Sequence, residues 1–187
     1  MERSYQITAF CQHFLKEYIG ENDICIDATA GKGNDTEFLC RMVGPKGKVY
    51  AFDVQKEALE YTEKRLESAG LLERSVLIAD GHEQIQNYVK EPVAAVMFNF
   101  GYLPGGDHRV ATSAETSMAA VRQGMELLKT GGVISLCIYS GGDTGYEERD
   151  ALLHFLKELD SRKWLVIAAS YYNRKNDPPL PVFVIRL

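Results

Sequence analysis

Acidic and amide side chains stand at the ends of successive apolar runs of this chain. Asp27, Asp53 and Asp80 close the first three runs, and Asn99 closes the fourth. A glycine loop, Gly31-Lys32-Gly33, follows the first of them. Carboxylates accept hydrogen bonds from hydroxyl, amino and ammonium groups. The spacing therefore predicts a site for a nucleoside ligand that carries a charged amino-acid arm.

Each of these residues has a predicted role toward such a ligand. Gly31 and Gly33 let the backbone approach the ligand where a side chain would collide. Asp53 follows the loop at about the 20-residue spacing at which an acidic residue binds ribose hydroxyls in nucleotide folds. Asp80 can accept a hydrogen bond from the adenine amino group, and Asp27 can act on the ammonium, directly or through water.

The ligand that this loop binds is predicted to be cationic. A dinucleotide-binding loop requires a third glycine where Thr36 stands, and it places a pyrophosphate at the following helix N-terminus. Asp35 lies at that terminus and would repel a pyrophosphate, so NAD is the less favoured alternative. The pattern resembles the S-adenosylmethionine site of class I methyltransferases, whose ligand is a sulfonium.

The residues after the fourth run indicate what is methylated. Asn99-Phe100-Gly101-Tyr102 is similar to the Asn/Asp-Pro-Pro-Tyr/Phe signature of methyltransferases that act on nitrogen. The similarity implies that Asn99 accepts hydrogen bonds from the target amine and that Tyr102 stacks on its base. Phe100 and Gly101 replace both prolines. We expect direct in-line transfer, with either Asp107 as proton acceptor or desolvation of the amine supplying the neutral nucleophile.

The elements that position these residues alternate along the whole chain. The predicted helices are 7–19, 36–42, 56–69, 82–90, 112–128 and 146–160, and the predicted strands are 24–26, 48–53, 76–79, 93–98, 133–139, 164–172 and 182–186. Alternation of this kind is typical of βαβ units with mostly parallel pairing. The last two strands are joined by a loop too short for a crossover, so the last strand is predicted to be antiparallel. We therefore expect one α/β domain over 1–187, a Rossmann-like class I methyltransferase fold with seven strands and helices on both faces.

Composition limits the function classes. Hydrophobic residues make up 45% of the 187 residues and charged residues 25%, with a net charge of −5. This balance excludes a protein that coats nucleic acid nonspecifically, but it allows a local basic patch. The four cysteines form no CxxC pair and have no His at ligand spacing, so neither a metal site nor a disulfide framework is predicted. Cys25 and Cys137 are expected to be buried thiols. With no apolar signal or membrane run, a cytoplasmic location is expected.

The whole chain from about residue 5 resembles one family. The segments that carry the resemblance are 27–36, 50–55, 98–107 and 176–179, with the Gly-Tyr-Leu-Pro-Gly-Gly-Asp block at 101–107 the most specific. They resemble small bacterial methyltransferases first described as rRNA methylases and now associated with tRNA wobble-uridine modification, the MnmM or YtqB-like group. The resemblance implies a homodimer that methylates 5-aminomethyl-(2-thio)uridine at position 34 to the 5-methylaminomethyl form.

The resemblance and the residue types together assign roles to individual residues. The cofactor is expected to be held by residues of the loop, of the next helix and of the strand ends, namely Asp27, Gly31, Gly33, Asn34, Asp35, Asp53, Gln55, Asp80 and His82. Asn99 and Tyr102 would hold the target nucleoside. His108, Arg109, Tyr172, Arg174 and Asn176 are expected to contact the tRNA anticodon arm, the alternative being solvated surface charges. Methylation of rRNA or of a small amine, and a noncatalytic RNA-binding module, stay open as alternative functions.

Overall fold

The chain forms alternating helices and strands in the computed structural model, which describes residues 6–100, 114–139, 145–174 and 178–187. The α-helices are α1 (Ile7–Leu15), α2 (Asn34–Met42), α3 (Lys56–Ala69), α4 (Ile85–Tyr88), α5 (Ala114–Leu127) and α6 (Gly145–Lys157). The strands are β1 (Ile24–Asp27), β2 (Lys48–Phe52), β3 (Ser75–Ile78), β4 (Val93–Phe100), β5 (Leu128–Ile138), β6 (Trp164–Ala168) and β7 (Leu180–Arg186). No helix among the described residues is long and apolar enough to span a membrane.

The strands form one seven-stranded sheet in the order β3-β2-β1-β4-β5-β7-β6. β7 runs antiparallel to both β5 and β6, and the remaining pairs are parallel. The predicted fold class and the antiparallel last strand are confirmed. The strand order reverses between β1 and β4, and ligands of such sheets bind beyond the carboxyl ends of the strands at this point.

The two faces of the sheet are covered by different helices. Cys25 of β1 and Met97 of β4 pack with α1–α3, whereas the next residue of each strand, Ile26 and Phe98, packs with α4–α6. Successive side chains of a strand point to opposite faces. Asp27 and Asn99 therefore lie on the same face as Cys25 and Met97, beneath α2.

Several predicted boundaries are wrong, and the largest difference is at β5. The predicted helix cap at Gly131-Gly132 is instead part of a strand that begins at Leu128. Val93 pairs with Leu128 but Ala95 pairs with Val133, so residues 129–132 bulge opposite Ala94. Gly131 has φ 78°, and a Cβ on Gly132 would lie 2.9 Å from the Lys129 carbonyl oxygen, so glycines permit the bulge.

Other elements are shorter than predicted. α1 ends at Leu15, four residues before the predicted end. The predicted helix 82–90 is a 3₁₀ turn, His82–Gln84, followed by the single turn of α4. β6 ends at Ala168, four residues before the predicted end. Cys25 and Cys137 are buried free thiols, as predicted.

Candidate active site

The glycine loop between β1 and α2 is fixed by two neighbouring elements. Gly31 and Gly33 have φ 53° and 76°, which favour glycine. A Cβ on Gly33 would lie 2.9 Å from the Thr62 Cα of α3. Thr62 Oγ1 donates to the Gly31 carbonyl over 3.2 Å, and the Gly31 N–H donates to Asp53 Oδ2 over 2.9 Å. The loop is therefore held against α3 and the end of β2.

Asp53 is half-buried directly after β2 and already accepts two backbone hydrogen bonds. Its Oδ2 accepts from Gly31, and its Oδ1 accepts from the Gln55 N–H over 2.9 Å. A carboxylate oxygen has two lone pairs, so each oxygen keeps one acceptor site. The position and chemistry fit the predicted ribose acceptor, and Gln55 lies beside it.

Asp80 and His82 lie past the end of β3. Asp80 Oδ1 accepts from the Gly81 N–H and its Oδ2 accepts from the Tyr88 hydroxyl, both over 2.8 Å. The hydrogen bond to this carboxylate raises the pKa of the Tyr88 phenol. His82 is buried, with its ring edge-on to Phe98 and Phe100 at centroid distances of 6.1 and 6.0 Å.

Asp27 is fully buried, and both of its carboxylate oxygens are bonded within the protein. Thr36 Oγ1 donates to Oδ2 over 2.6 Å, and the Thr29 N–H donates to Oδ1 over 3.2 Å. Burial and then the neighbouring Asp35 carboxylate raise the pKa of Asp27 to about 7. Asp27 thereby ties the glycine loop to α2, and its contact with an ammonium, directly or through water, stays a prediction.

Asp35 joins two other elements through its two oxygens. Gln12 Nε2 of α1 donates to Oδ1, and Asn99 Nδ2 of β4 donates to Oδ2, each over 2.6 Å. Burial raises the pKa of Asp35, and these two hydrogen bonds partly oppose that shift. The backbone N–H of Asn99 donates to Thr29 Oγ1 over 2.8 Å. Asn34, next to Asp35, is exposed.

The structure thus joins Asp27, Asp35 and Asn99 into one hydrogen-bonded group through Thr29, whereas Asp53 is bonded to the glycine loop itself. Asp80 bonds Tyr88 past the end of β3, and two strands, β2 and β1, lie between β3 and the strand of Asn99 in the sheet order. Tyr102, Asp107, His108, Arg109 and Asn176 lie outside the described residues.

Two predicted RNA contacts border a cleft at the carboxyl edge of the sheet. Tyr172 is 99% exposed and Arg174 is exposed, and the cleft is also lined by Arg149, Tyr171, Pro178 and Pro179. Leu180, which also lines the cleft, pairs with Ile138 at the end of β5, beside β4. Neighbouring strands lie about 4.8 Å apart, so the two strand steps from β4 to β7 span about 10 Å.

Sequence reasoning missed the residues that hold the predicted ones in place, namely Gln12, Thr29, Thr62 and Tyr88. Thr62 had a detectable signal, because it falls between Ala58 and Leu66 on the buried stripe of α3. A buried hydroxyl needs a partner, and here the partner is the glycine loop. Gln12 gives no such signal in the sequence.

In comparisons with known proteins, the chain is similar to methylases and methyltransferases. Residues 49–185 match the family described as "Putative rRNA methylase". A curated relative, "tRNA (mnm(5)s(2)U34)-methyltransferase, chloroplastic" of Arabidopsis thaliana, is 37% identical over 179 residues, which cover 90% of this chain and 64% of the relative. The chain therefore spans just under two thirds of that relative's length.

Two solved structures are similar over nearly the full length. One is a "putative rRNA-methylase" from Clostridium thermocellum, 42% identical, with a TM-score of 0.96 and 100% of each chain covered. The other is a "putative methyltransferase" from Streptococcus mutans in complex with SAH, 39% identical, with a TM-score of 0.90, covering 99% of this chain and 100% of that one.

Proposed function

Since the chain belongs to the family described as "Putative rRNA methylase", we propose that it transfers a methyl group from S-adenosylmethionine to a tRNA. The finer proposal is N-methylation of 5-aminomethyl-(2-thio)uridine at wobble position 34. The name of the Arabidopsis relative supports this substrate, since it specifies the methylated nucleoside at that position. The complex of the Streptococcus relative with SAH supports the cofactor.

The cradle around the glycine loop fits this cofactor. S-adenosylmethionine would supply a methyl group bound to a sulfonium. Asp53 retains an acceptor site on each oxygen for the ribose hydroxyls, and Asp80 lies past β3 for the adenine amino group. The side chains at the carboxyl ends of β1 and β2 are carboxylates, which favour a cation over a pyrophosphate.

The orientation of the Asn99 amide is the observation that carries the proposal. Its Nδ2 is bonded to Asp35, so its Oδ1 is the group left to accept a hydrogen bond from an incoming amine. Alkylamines are protonated near neutral pH because their pKa is about 10, so the site must take the amine in its neutral form. The transfer breaks the carbon–sulfur bond and forms a carbon–nitrogen bond, and the positive charge passes from sulfur to the product ammonium.

RNA would approach along the carboxyl edge of the sheet. Arg174 and Arg149 supply positive charge at the cleft, and the exposed Tyr172 ring offers a stacking face for an unpaired base. About 10 Å from β4, the cleft is close enough for a nucleotide that neighbours the target. Tyr102, His108, Arg109 and Asn176 stay predictions for the same RNA, as do a homodimer and a cytoplasmic location.

A methyl-transfer assay with the purified protein tests the proposal. The acceptors are tRNA that carries 5-aminomethyl-2-thiouridine, the same tRNA as an unmodified transcript, rRNA, and a free alkylamine. With radiolabelled cofactor, we expect label only in the first. Label in rRNA or in the free amine instead would replace the tRNA assignment, and binding of RNA without transfer to any acceptor would favour a noncatalytic module.

A further inference from the structure

Asp35 is nearly enclosed by the protein. Only 6% of the residue is exposed, and each carboxylate oxygen accepts a hydrogen bond from another element of the fold. The partners are side-chain amides, Gln12 from α1 and Asn99 from β4. We propose that Asp35 is a positioning residue, which turns the Asn99 amide so that its Oδ1 receives the amine of the substrate. This inference rests on the proposed role of Asn99.

The chemistry of the pair decides the orientation. An asparagine amide has nearly the same shape when its oxygen and nitrogen exchange places, so packing alone does not select one orientation. An ionised carboxylate accepts hydrogen bonds and donates none. Asp35 can therefore bind the NH₂ group of Asn99 and not its oxygen. The opposite orientation would present N–H donors to an amine that needs an acceptor.

The surroundings leave the side chain of Asn99 little other freedom. Its backbone N–H is bonded to Thr29 Oγ1, and the residue pairs with Cys137 of β5. Gln12 holds the second oxygen of Asp35 from the opposite side, which keeps the carboxylate from rotating. The hydrogen-bonded series Gln12–Asp35–Asn99 thus connects α1 to the end of β4 and fixes the orientation of the Asn99 amide.

An exchange of the two residues provides a sharp test. In Asn99→Asp, two carboxylates face each other, and one must turn away or take a proton. Adding Asp35→Asn restores a complete set of hydrogen bonds. The new amide at position 35 donates to one carboxylate oxygen at position 99 and accepts from Gln12. The second carboxylate oxygen at position 99 is then left to accept from the amine. We expect Asn99→Asp to lower kcat about 100-fold, because the reacting group is misplaced. The double variant should have a kcat at least about tenfold higher than that of Asn99→Asp.

Gln12→Leu tests the end of this hydrogen-bonded series that lies on α1. Gln12 is half-buried on α1, and the exposed neighbour His13 supplies the matched control, His13→Ala. We expect Gln12→Leu to lower kcat with little change in KM for tRNA or in cofactor affinity, whereas His13→Ala should match the wild type. A merely structural role would lower the melting temperature without this division between kcat and KM.

The orientation can also be measured without activity. The side-chain amide NMR signals of Asn99 should shift in Gln12→Leu and stay in place in His13→Ala. Unchanged signals, or a double exchange variant that folds and is no more active than Asn99→Asp, would overturn the positioning role. If instead the wild type methylates no tRNA while these signals shift, the proposed function fails and the positioning geometry stands.

Discussion

Replacing the buried Asp27 by asparagine should stabilise the protein, and increasingly so as pH rises. The amide in Asp27→Asn would keep both contacts, because its oxygen can accept from the Thr29 N–H and its nitrogen can donate to Thr36 Oγ1. The side chain is fully buried and the replacement has nearly the same volume, so no cavity forms. The change therefore isolates the cost of a buried charge.

The size and sign of the effect follow from the pKa of Asp27. Burial and the Asp35 carboxylate raise this pKa from 3.8 to about 7. Between these values the folded state keeps a proton that the unfolded chain has lost, so the free energy of unfolding falls as pH rises. At 1.36 kcal/mol per pKa unit, the loss is complete above pH 7 and amounts to about 4 kcal/mol. Because Asp35 faces Asp27, the measured loss belongs to the pair.

Urea unfolding of the ligand-free protein at several pH values from about 4 to about 8 measures this loss. We expect the wild type and Asp27→Asn to agree at the acidic end and to diverge with rising pH in favour of the variant. Asp150→Asn, which removes one carboxylate from the exposed surface of α6, is the control and should follow the wild type. Parallel curves for Asp27→Asn and the wild type would refute the raised pKa.

Three further substitutions test other parts of the account. Asp53→Ala should weaken S-adenosylmethionine binding at least about tenfold, since it removes two charged acceptor sites worth roughly 1.5–3 kcal/mol each; unchanged affinity in calorimetry would remove Asp53 from the site. Gly33→Ala should lower the free energy of unfolding by at least about 1 kcal/mol, because φ is 76° and the new Cβ meets the α3 backbone; a variant as stable as the wild type in urea would contradict this geometry. Tyr172→Ala should weaken binding of an anticodon stem-loop by about 1–3 kcal/mol, while the exposed control Tyr61→Ala should not; equal losses in both would argue against the cleft as an RNA site.

The sequence was sufficient to predict, to within two residues, where the first four strands end and which polar residues stand there. Asp27 and Asn99 follow apolar runs with the length and composition of buried strands, and parallel strands bring such ends to one edge. Successive side chains of β1 and β4 belong alternately to the two core clusters, and this alternation places both residues on the face covered by α2.

The contacts within the site required the three-dimensional structure. Gln12 is far from Asn99 in the sequence, and only the packing of α1 on the sheet brings it to Asp35. The sequence places Asp35 at the start of the helix after the glycine loop, but it does not show the hydrogen bonds that Gln12 and Asn99 donate to its carboxylate. The bulge at 129–132 was missed because paired glycines after a helix also fit a helix cap.

Mass spectrometry of nucleosides from tRNA tests the central claim most directly. Cells that lack this protein are compared with the same cells carrying the wild-type chain or the Asn99→Ala variant. The account predicts that 5-methylaminomethyl-(2-thio)uridine disappears and its 5-aminomethyl precursor accumulates without the protein, and that the wild type but not Asn99→Ala restores the methylated form. An unchanged tRNA nucleoside profile in cells that lack the protein would contradict the account.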